Sequence, residues 1–343
     1  MEKRTYTNDL LNAAKQELPW ERLRNKSILV LGSTGLIGGA VIDLLMSRVP
    51  LNFHVYAGFR NYEWAKKRFA KYLHSPFFHL QEVDVTLPIK DNKVFHYMID
   101  AASGAHPKAY AVNPVGVIRA NVMGVDNLLS YGKEHGMEKF VYVSSGEVYG
   151  EGDGRVFTED YSGFVDCATV RACYPSSKRA AETLCVSYVS QYKLDISIAR
   201  PSHVYGPYFT PQDSRAYAQF LRNVIQGENI TLKSTGDQFR SWCYAVDCAI
   251  ALLYILFKGK SGAAYNVADE SSNVSIREFA DIIAGIGNRK VVLSLPDQTE
   301  QKGFTVVRKA VFDTSRLKGL GWNCTGTLRE NLLVTFQELT EIH

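Results

Sequence analysis

Short apolar runs alternate with longer amphipathic stretches along the first two hundred residues. Ser27–Leu31 (SILVL) is rich in β-formers and bounded by polar residues and glycine, so it reads as a buried strand. Similar runs at 53–57, 78–83, 98–103, 139–143 and 196–199 predict further strands. A helical pattern follows the first run through Met46, and a long helix is expected over 121–135. Strands alternating with helices predict an α/β fold, a doubly wound parallel sheet of the Rossmann type. In such a sheet ligands gather beyond the carboxyl ends of the strands.

The pattern changes after residue 200. Gly206-Pro207 marks a turn. A helix is expected over 216–226, a short strand at Ile230–Leu232 and a strongly apolar, buried helix over 247–257. Ser275 precedes Glu278 by three residues, a capping-box pattern ahead of a helix over 279–286. The expected organisation is a helical extension at 1–24, a dinucleotide-binding domain at 25–200 and a smaller α+β region at 201–343. That last region mainly covers substrate, and some of its segments can return to the first sheet. In the extension, Asn8 is the expected helix cap and Pro19 the stop.

Composition narrows the classes. With 343 residues, 46% hydrophobic and 22% charged, the chain can bury a large core. A formal charge of +4 is too weak and dispersed for nucleic acid, yet it permits a small anionic substrate. The longest apolar run, 248–257, is about half of what a membrane helix needs, and no signal-peptide core opens the chain. Six cysteines at 167, 173, 185, 243, 248 and 324 form no Cys-x-x-Cys and have no histidine at ligand spacing. Reduced thiols in a cytoplasmic protein are expected, with neither disulfides nor a metal site.

The candidate chemistry starts at the first strand's end. Gly32-Ser33-Thr34-Gly35-Leu36-Ile37-Gly38 lies between a strand and a helix, the context a dinucleotide fingerprint requires. The glycines allow a tight turn and close approach to pyrophosphate, which the helix N-terminus favours; Thr34, Leu36 and Ile37 belong to the same cradle. After the second strand no carboxylate appears to hold a ribose. Arg60 stands there and suits a 2′-phosphate, so NAD is expected and NADP stays open. Asp84 and Val85 end the third strand within reach of an adenine, and the small residues Ala101, Ala102 and Ser103 end the fourth. Ser145 and Glu147 follow the fifth strand.

Tyr174 and Lys178 stand four positions apart at the start of a helical run, on one helix face. A free phenol has a pKa of roughly 10. A fixed ammonium beside it is expected to lower that value, making Tyr174 a base for a sugar hydroxyl as hydride leaves the same carbon.

The glycine turn, Ser144-Ser145 before Val148-Tyr149-Gly150, and Tyr-x-x-x-Lys together resemble an extended short-chain dehydrogenase/reductase. Within that family the chain resembles the nucleotide-sugar epimerase, dehydratase and decarboxylase group. Stretches 101–121, 159–179 and 235–247 are similar to UDP-glucuronate decarboxylases. The resemblance implies Tyr174 and Lys178 as redox pair, Ser145 as the hydroxyl on the reacting sugar oxygen, and Glu147 and Arg240 as active-site residues. It also implies Tyr110 as a substrate tyrosine and a homodimer as the assembly. A nucleotide-diphosphate sugar is the implied partner, with decarboxylation first and 4-epimerisation or 4,6-dehydration as alternatives. A non-catalytic NAD(P)-binding protein is the third reading, opposed by the intact Ser145, Tyr174 and Lys178. Two positions depart from the pattern. Gly146 stands where decarboxylases carry Ser and dehydratases an acidic Asp, which disfavours ordinary dehydration. His203 stands where the family commonly has a substrate-touching Asn. Arg215, with Asp213 and Ser214, is a candidate phosphate or base contact.

Overall fold

A computed structural model describes residues 4–48, 51–294 and 308–342. Seven parallel strands form the central sheet. In chain order the first six are β1 (Ser27–Leu31), β2 (His54–Phe59), β3 (Phe78–Glu82), β4 (Tyr97–Asp100), β5 (Lys139–Val143) and β6 (Ile196–Pro201). Three further strands, β7 (His203–Tyr205), β8 (Ile230–Leu232) and β9 (Phe239–Tyr244), precede β10 (Ala264–Val267), which completes the sheet. Its order is β10-β6-β5-β4-β1-β2-β3. The chain winds outward from β1 through β2 and β3, then crosses back to β4 on the other side. The switch point therefore lies between β1 and β4, where such folds open a ligand crevice.

The helices fall where apolar periodicity meets a capping signal. Thr5, not Asn8, caps α1 (Tyr6–Ala14), because its hydroxyl accepts from the Asn8 backbone N–H. That helix ends before Pro19, which instead leads into a 3₁₀ turn at Trp20–Leu23. The next helices are α2 (Leu36–Met46), α3 (Tyr62–Arg68), α4 (Pro107–Val112) and α5 (Pro114–Glu134). The last starts seven residues earlier than the apolar pattern indicates. Asn113 caps it through the Gly116 N–H and Pro114 occupies the first turn, where its missing N–H costs nothing.

Helix α6 (Cys173–Tyr192) packs along α5, and α7 (Ala216–Ile225) belongs to the smaller region. The apolar run is α8 (Ala245–Lys258), buried from Ala245 through Phe257 against α2 and the central sheet. Ser275 and Glu278 form both halves of the capping box opening α9 (Ile276–Ile286). The remaining elements are β11 (Asp269–Ser275), β12 (Val291–Leu293), β13 (Lys309–Ala310), α10 (Ser315–Lys318) and α11 (Leu328–Ile342).

A second sheet, β11-β9-β13 with β7 joined to β9, stands beside the first. His203 pairs with Trp242 and Ala310 with Arg240 in its register. This small sheet carries His203, Arg240 and, just past β13, Phe312 to the crevice side. Strand β8 pairs with β12 as a separate ribbon. No helix among the described residues is long and apolar enough to cross a membrane.

Candidate active site

Register brings the strand ends together. Leu31 is level with Asp100, and Asp100 with Tyr142, so the chain leaves β1, β4 and β5 at Gly32, Ala101 and Ser144 on one edge. Gly32 has φ +65°, and a Cβ there would lie 2.5 Å from the Ala101 carbonyl oxygen. A Cβ on Gly38 would press on the Gly32 backbone, 2.8 Å from its carbonyl carbon. Both glycines are thus fixed by close packing of turn, helix and strand. Gly35 differs: only the Gly32 oxygen, 3.2 Å away, is near its Cβ position, which leaves the outer side open.

Gly35 is the N-cap of α2 and offers no side chain to the first-turn N–H groups of Leu36 and Ile37. Those donors suit a pyrophosphate. Ser33, buried, ties the turn to β2 through the Gly58 carbonyl at 2.9 Å, while Thr34 stays half-buried. The residues present therefore fit a dinucleotide.

Other expected cofactor residues divide. Arg60 is exposed past β2 and close enough to Asp84 to help hold its carboxyl below the usual range, after the hydrogen bonds from Thr86. Val85 is buried with its side chain against Gly124 of α5, so only its backbone can face a ligand. Ala101 and Ala102 pack over Gly32. Ser103 donates to Asn121 at 2.8 Å, Asn121 donates to Ser177 at 2.8 Å, and Ser177 donates to the Cys173 carbonyl at 2.6 Å. This relay fastens the start of α6, and hence Tyr174, to the end of β4. Asn121 and Ser177 escaped the sequence reading; a buried amide inside an apolar helix face was the available signal.

Tyr174 and Lys178 lie one turn apart on α6, and both are buried. Lys178 Nζ donates to the Val143 carbonyl at 2.8 Å, sits 4.6 Å from the Tyr142 ring centroid and 5.8 Å from that of Tyr174. The expected lowering of the phenol does not appear. Burial pushes Tyr174 up to about 12, and the Glu147 charge adds to this; a hydrogen bond with Ser145 and the charges of Arg215 and Arg171 act the other way. Burial also pulls Lys178 down to about 8, against the attraction of Asp100 and Glu182. Asp100, buried opposite Tyr142, is itself pushed up to about 6 by burial. The Lys178 ammonium, drawn to a main-chain carbonyl, stays near the Tyr174 ring, and its charge is outweighed by the burial of the phenol.

Ser145 caps the 3₁₀ turn Gly146–Tyr149 by accepting from the Glu147 N–H at 3.2 Å. That turn presents Glu147 to Arg171, whose Nη2 lies 2.8 Å from both carboxylate oxygens. The Arg171 guanidinium lies over the Tyr110 ring at 4.7 Å, and Tyr110 stacks on Tyr174 at 4.8 Å. Arg171, Tyr110 and Tyr174 form one column beside Glu147. Arg171 was visible only as part of the Tyr174 motif; its role is a product of the stack.

The far wall is cationic. Asp213 is buried and binds Arg215 through Nε at 3.0 and 3.1 Å and Nη2 at 2.5 Å, with Tyr217 donating at 2.9 Å. Asp213 therefore aims Arg215 rather than meeting a ligand, and Ser214 bridges toward the Lys108 N–H. His203 opens onto the crevice and packs on Trp242 at 5.3 Å. Although His203 is exposed at the surface, the walls around its ring and the charges of Arg240 and Arg215 hold its pKa below the usual imidazole value. Arg240 is buried, lowered to about 10 by that burial, and donates to the Phe239 and Arg308 carbonyls. It lies behind His203 rather than beside Tyr174. Phe312 fills the space next to Gly146, where a Cβ would fall 2.6 Å from its ring Cε2.

A buried phenol near a serine hydroxyl, with the Glu147 carboxylate and the Arg171 and Arg215 guanidinium groups close enough to act on it, suits oxidation of a hydroxyl on an anionic ligand. Comparison with known proteins agrees. The chain is 33% identical to UDP-glucuronic acid decarboxylase 6 of Arabidopsis thaliana over 314 residues, covering 90% of this chain and 87% of that one. Its fold matches dTDP-glucose 4,6-dehydratase of Streptomyces venezuelae with a TM-score of 0.79 at 22% identity, covering 92% and 97% of the two chains. It also matches UDP-glucuronic acid 4-epimerase of Bacillus cereus, crystallised with UDP-glucuronic acid and NAD, with a TM-score of 0.76 at 20% identity over 92% and 100%. Residues 28–268 match the model of the NAD dependent epimerase/dehydratase family, and the chain belongs to that family.

Proposed function

We propose that this protein decarboxylates a UDP-linked uronic acid, with UDP-glucuronate as substrate, through transient oxidation at C4. The observation that carries this reading is the meeting of Tyr174, Ser145 and Glu147 in a crevice walled by Arg171, Arg215 and Arg240. The similarity to UDP-glucuronic acid decarboxylases supports the substrate.

Gly32, Gly35 and Gly38 would hold NAD, which when bound would supply reversible hydride acceptance at C4. Tyr174 takes the C4 hydroxyl proton, and Ser145 holds that oxygen in line. The carboxylate on C5 is then β to a ketone. Its bond to C5 breaks, carbon dioxide leaves, and the electron pair passes into an enolate. Glu147, beside C5, orients the water or acid that reprotonates that carbon. Tyr174 finally gives its proton back to the C4 oxygen. Lys178 secures α6 to the end of β5 and keeps positive charge under Tyr142 and Tyr174.

The second reading is 4-epimerisation of a neutral sugar. His203, in place of the family's usual Asn, favours a ligand different from the common one. Dehydration is opposed by Gly146, since Phe312 fills the place of an acidic side chain. Purified protein given UDP-glucuronate, UDP-glucose and UDP-galactose separates these readings. Carbon dioxide from the acid alone supports decarboxylation; reaction of the neutral sugars without the acid replaces it with epimerisation.

The region after residue 200 is assigned mainly to holding substrate, through Arg215 and His203. A homodimer is supported by Val115, Ile118 and Met123, exposed along α5 next to α6. Six free thiols suit a cytoplasmic setting.

A further inference from the structure

The crevice holds three arginines, and they differ in what they already bind. Arg240 is 3% exposed and donates to main-chain carbonyls. Arg215 gives Nε and Nη2 to Asp213 and reaches the Tyr217 hydroxyl at 3.1 Å. Arg171 is 52% exposed in its side chain and gives one nitrogen, Nη2, to Glu147. Among the described residues, its Nε and Nη1 meet no protein acceptor. A guanidinium offers five donor hydrogens in a plane and matches a carboxylate better than an ammonium does.

The plane of Arg171 is fixed from below. Tyr110 supports it at 4.7 Å, and Tyr110 rests on Tyr174. The cation is thus ordered before any ligand arrives, which reduces the entropy lost on binding one. The carboxylate it holds, Glu147, is 38% exposed, so an incoming anion can compete for the same nitrogen. Arg171 and Glu147 stand beside the Tyr174 phenol, and in the uronic-acid reading the acid group on C5 is assigned to that side of the C4 oxygen.

From this geometry we propose that Arg171, rather than Arg240, is the residue that selects an acidic sugar. The substrate carboxylate takes Arg171 from Glu147, and Glu147 is released toward C5. The inference rests on the uronic-acid reading above and names the residue that enforces it. Arg240 serves instead to shape the wall behind His203.

The test is calorimetric binding to the full chain with NAD added, comparing UDP-glucuronate, UDP-glucose and UDP. Wild type is expected to prefer the acid. Arg171→Gln should weaken UDP-glucuronate by roughly tenfold or more, the loss typical of a hydrogen bond to a charged group. It should leave UDP-glucose and UDP within about threefold. Arg171→Lys should restore only part of the preference. A preference retained in Arg171→Gln, or an equal loss for all three ligands in both variants, overturns the assignment while leaving the uronic-acid reading intact. No preference for the acid in wild type overturns both.

Discussion

The Phe312 ring stands where a side chain at Gly146 would begin. A Cβ built there lies 2.6 Å from Cε2 and 3.3 Å from Cε1, and closer still to Cζ. Phe312 is held in place by Tyr149 and Phe157 and by its own N–H, which donates to Ser241. The glycine is therefore required by a packed aromatic cluster that also walls the active-site turn. Gly146→Ser should cost ~1–3 kcal/mol, as overpacking does. Phe312→Ala removes a buried ring and should cost about 3–5 kcal/mol. In the double variant the serine fits the vacated space, so the two losses should fall short of their sum. Urea unfolding of the four proteins measures the coupling. Strict additivity would show that the two positions do not exclude each other.

The glycine turn yields a contrast between two substitutions. Gly35→Val faces the open side of the cradle, with only the Gly32 oxygen near its Cβ. It should abolish NAD binding while leaving the melting temperature within a few degrees. Gly38→Val would press against the Gly32 and Ser33 backbone and should damage the fold itself. Titration of NAD fluorescence quenching and thermal melting read the two effects separately. Equal melting temperatures for both variants would contradict this difference in packing at the two glycines.

Much of this was legible in advance for a physical reason. β1 and β5 are short buried runs with sharp polar edges, β8 is a three-residue strand with Thr231 exposed between two buried residues, and the observed bounds of all three match the pattern. The glycine turn and the Ser275–Glu278 box are local devices, set by residues close in sequence. What local pattern could not supply was anything made by distant segments. Strand β10 joins the central sheet from beyond residue 260 because only a tertiary pairing with β6 defines it. Arg171 meets Glu147 across 24 residues, and Phe312 meets Gly146 from the other end of the chain. The phenol was expected to be acidified by its neighbour four residues on. Spacing places two groups on one face, but the amount of water they lose decides which way their pKa values move.

Asp43 offers a stability test remote from the crevice. It is fully buried and receives the Tyr6 hydroxyl at 3.0 Å, the Tyr72 hydroxyl at 2.9 Å and Arg68 Nη2 at 2.5 Å. Arg68 lies over Tyr208, whose hydroxyl donates to Glu338. One carboxylate thus links α1, α2 and α3 to α11. Burial works to raise its pKa, and the charge and hydrogen bonds of Arg68 more than reverse this, leaving it below the usual carboxylate range. Its contribution is therefore complete above the unfolded value of about 3.9 and is lost as pH falls through the lower folded one. Asp43→Ala leaves Arg68 buried without its partner and should cost about 3–5 kcal/mol at pH 7. The gap between wild type and Asp43→Ala should narrow on acidification below about pH 4. A constant gap from pH 7 down to pH 3 would assign the loss to packing.

The Tyr174–Lys178 pair gives the sharpest test of the chemistry, because both variants should lose activity while only Lys178→Met should gain stability. Tyr174→Phe removes one hydroxyl and keeps the ring on Tyr110, so the melting temperature should change little. Turnover should fall by ~10²–10⁴, the typical worth of a positioned acid or base. Lys178→Met should lower turnover too, since it removes the positive charge beneath Tyr142 and Tyr174. Its effect on stability has the opposite sign. Burial holds Lys178 at about 8, below the unfolded lysine value of about 10.4, so at neutral pH the folded state carries the strain of a desolvated ammonium. Removing that charge should raise the melting temperature, less the lost hydrogen bond to Val143. The gain should shrink as pH rises from about 8 to about 10.4, where the folded lysine is already neutral and the unfolded one becomes so. Near-normal turnover in Tyr174→Phe would place the base elsewhere. A Lys178→Met protein less stable than wild type at every pH would mean that the hydrogen bond to Val143 outweighs desolvation.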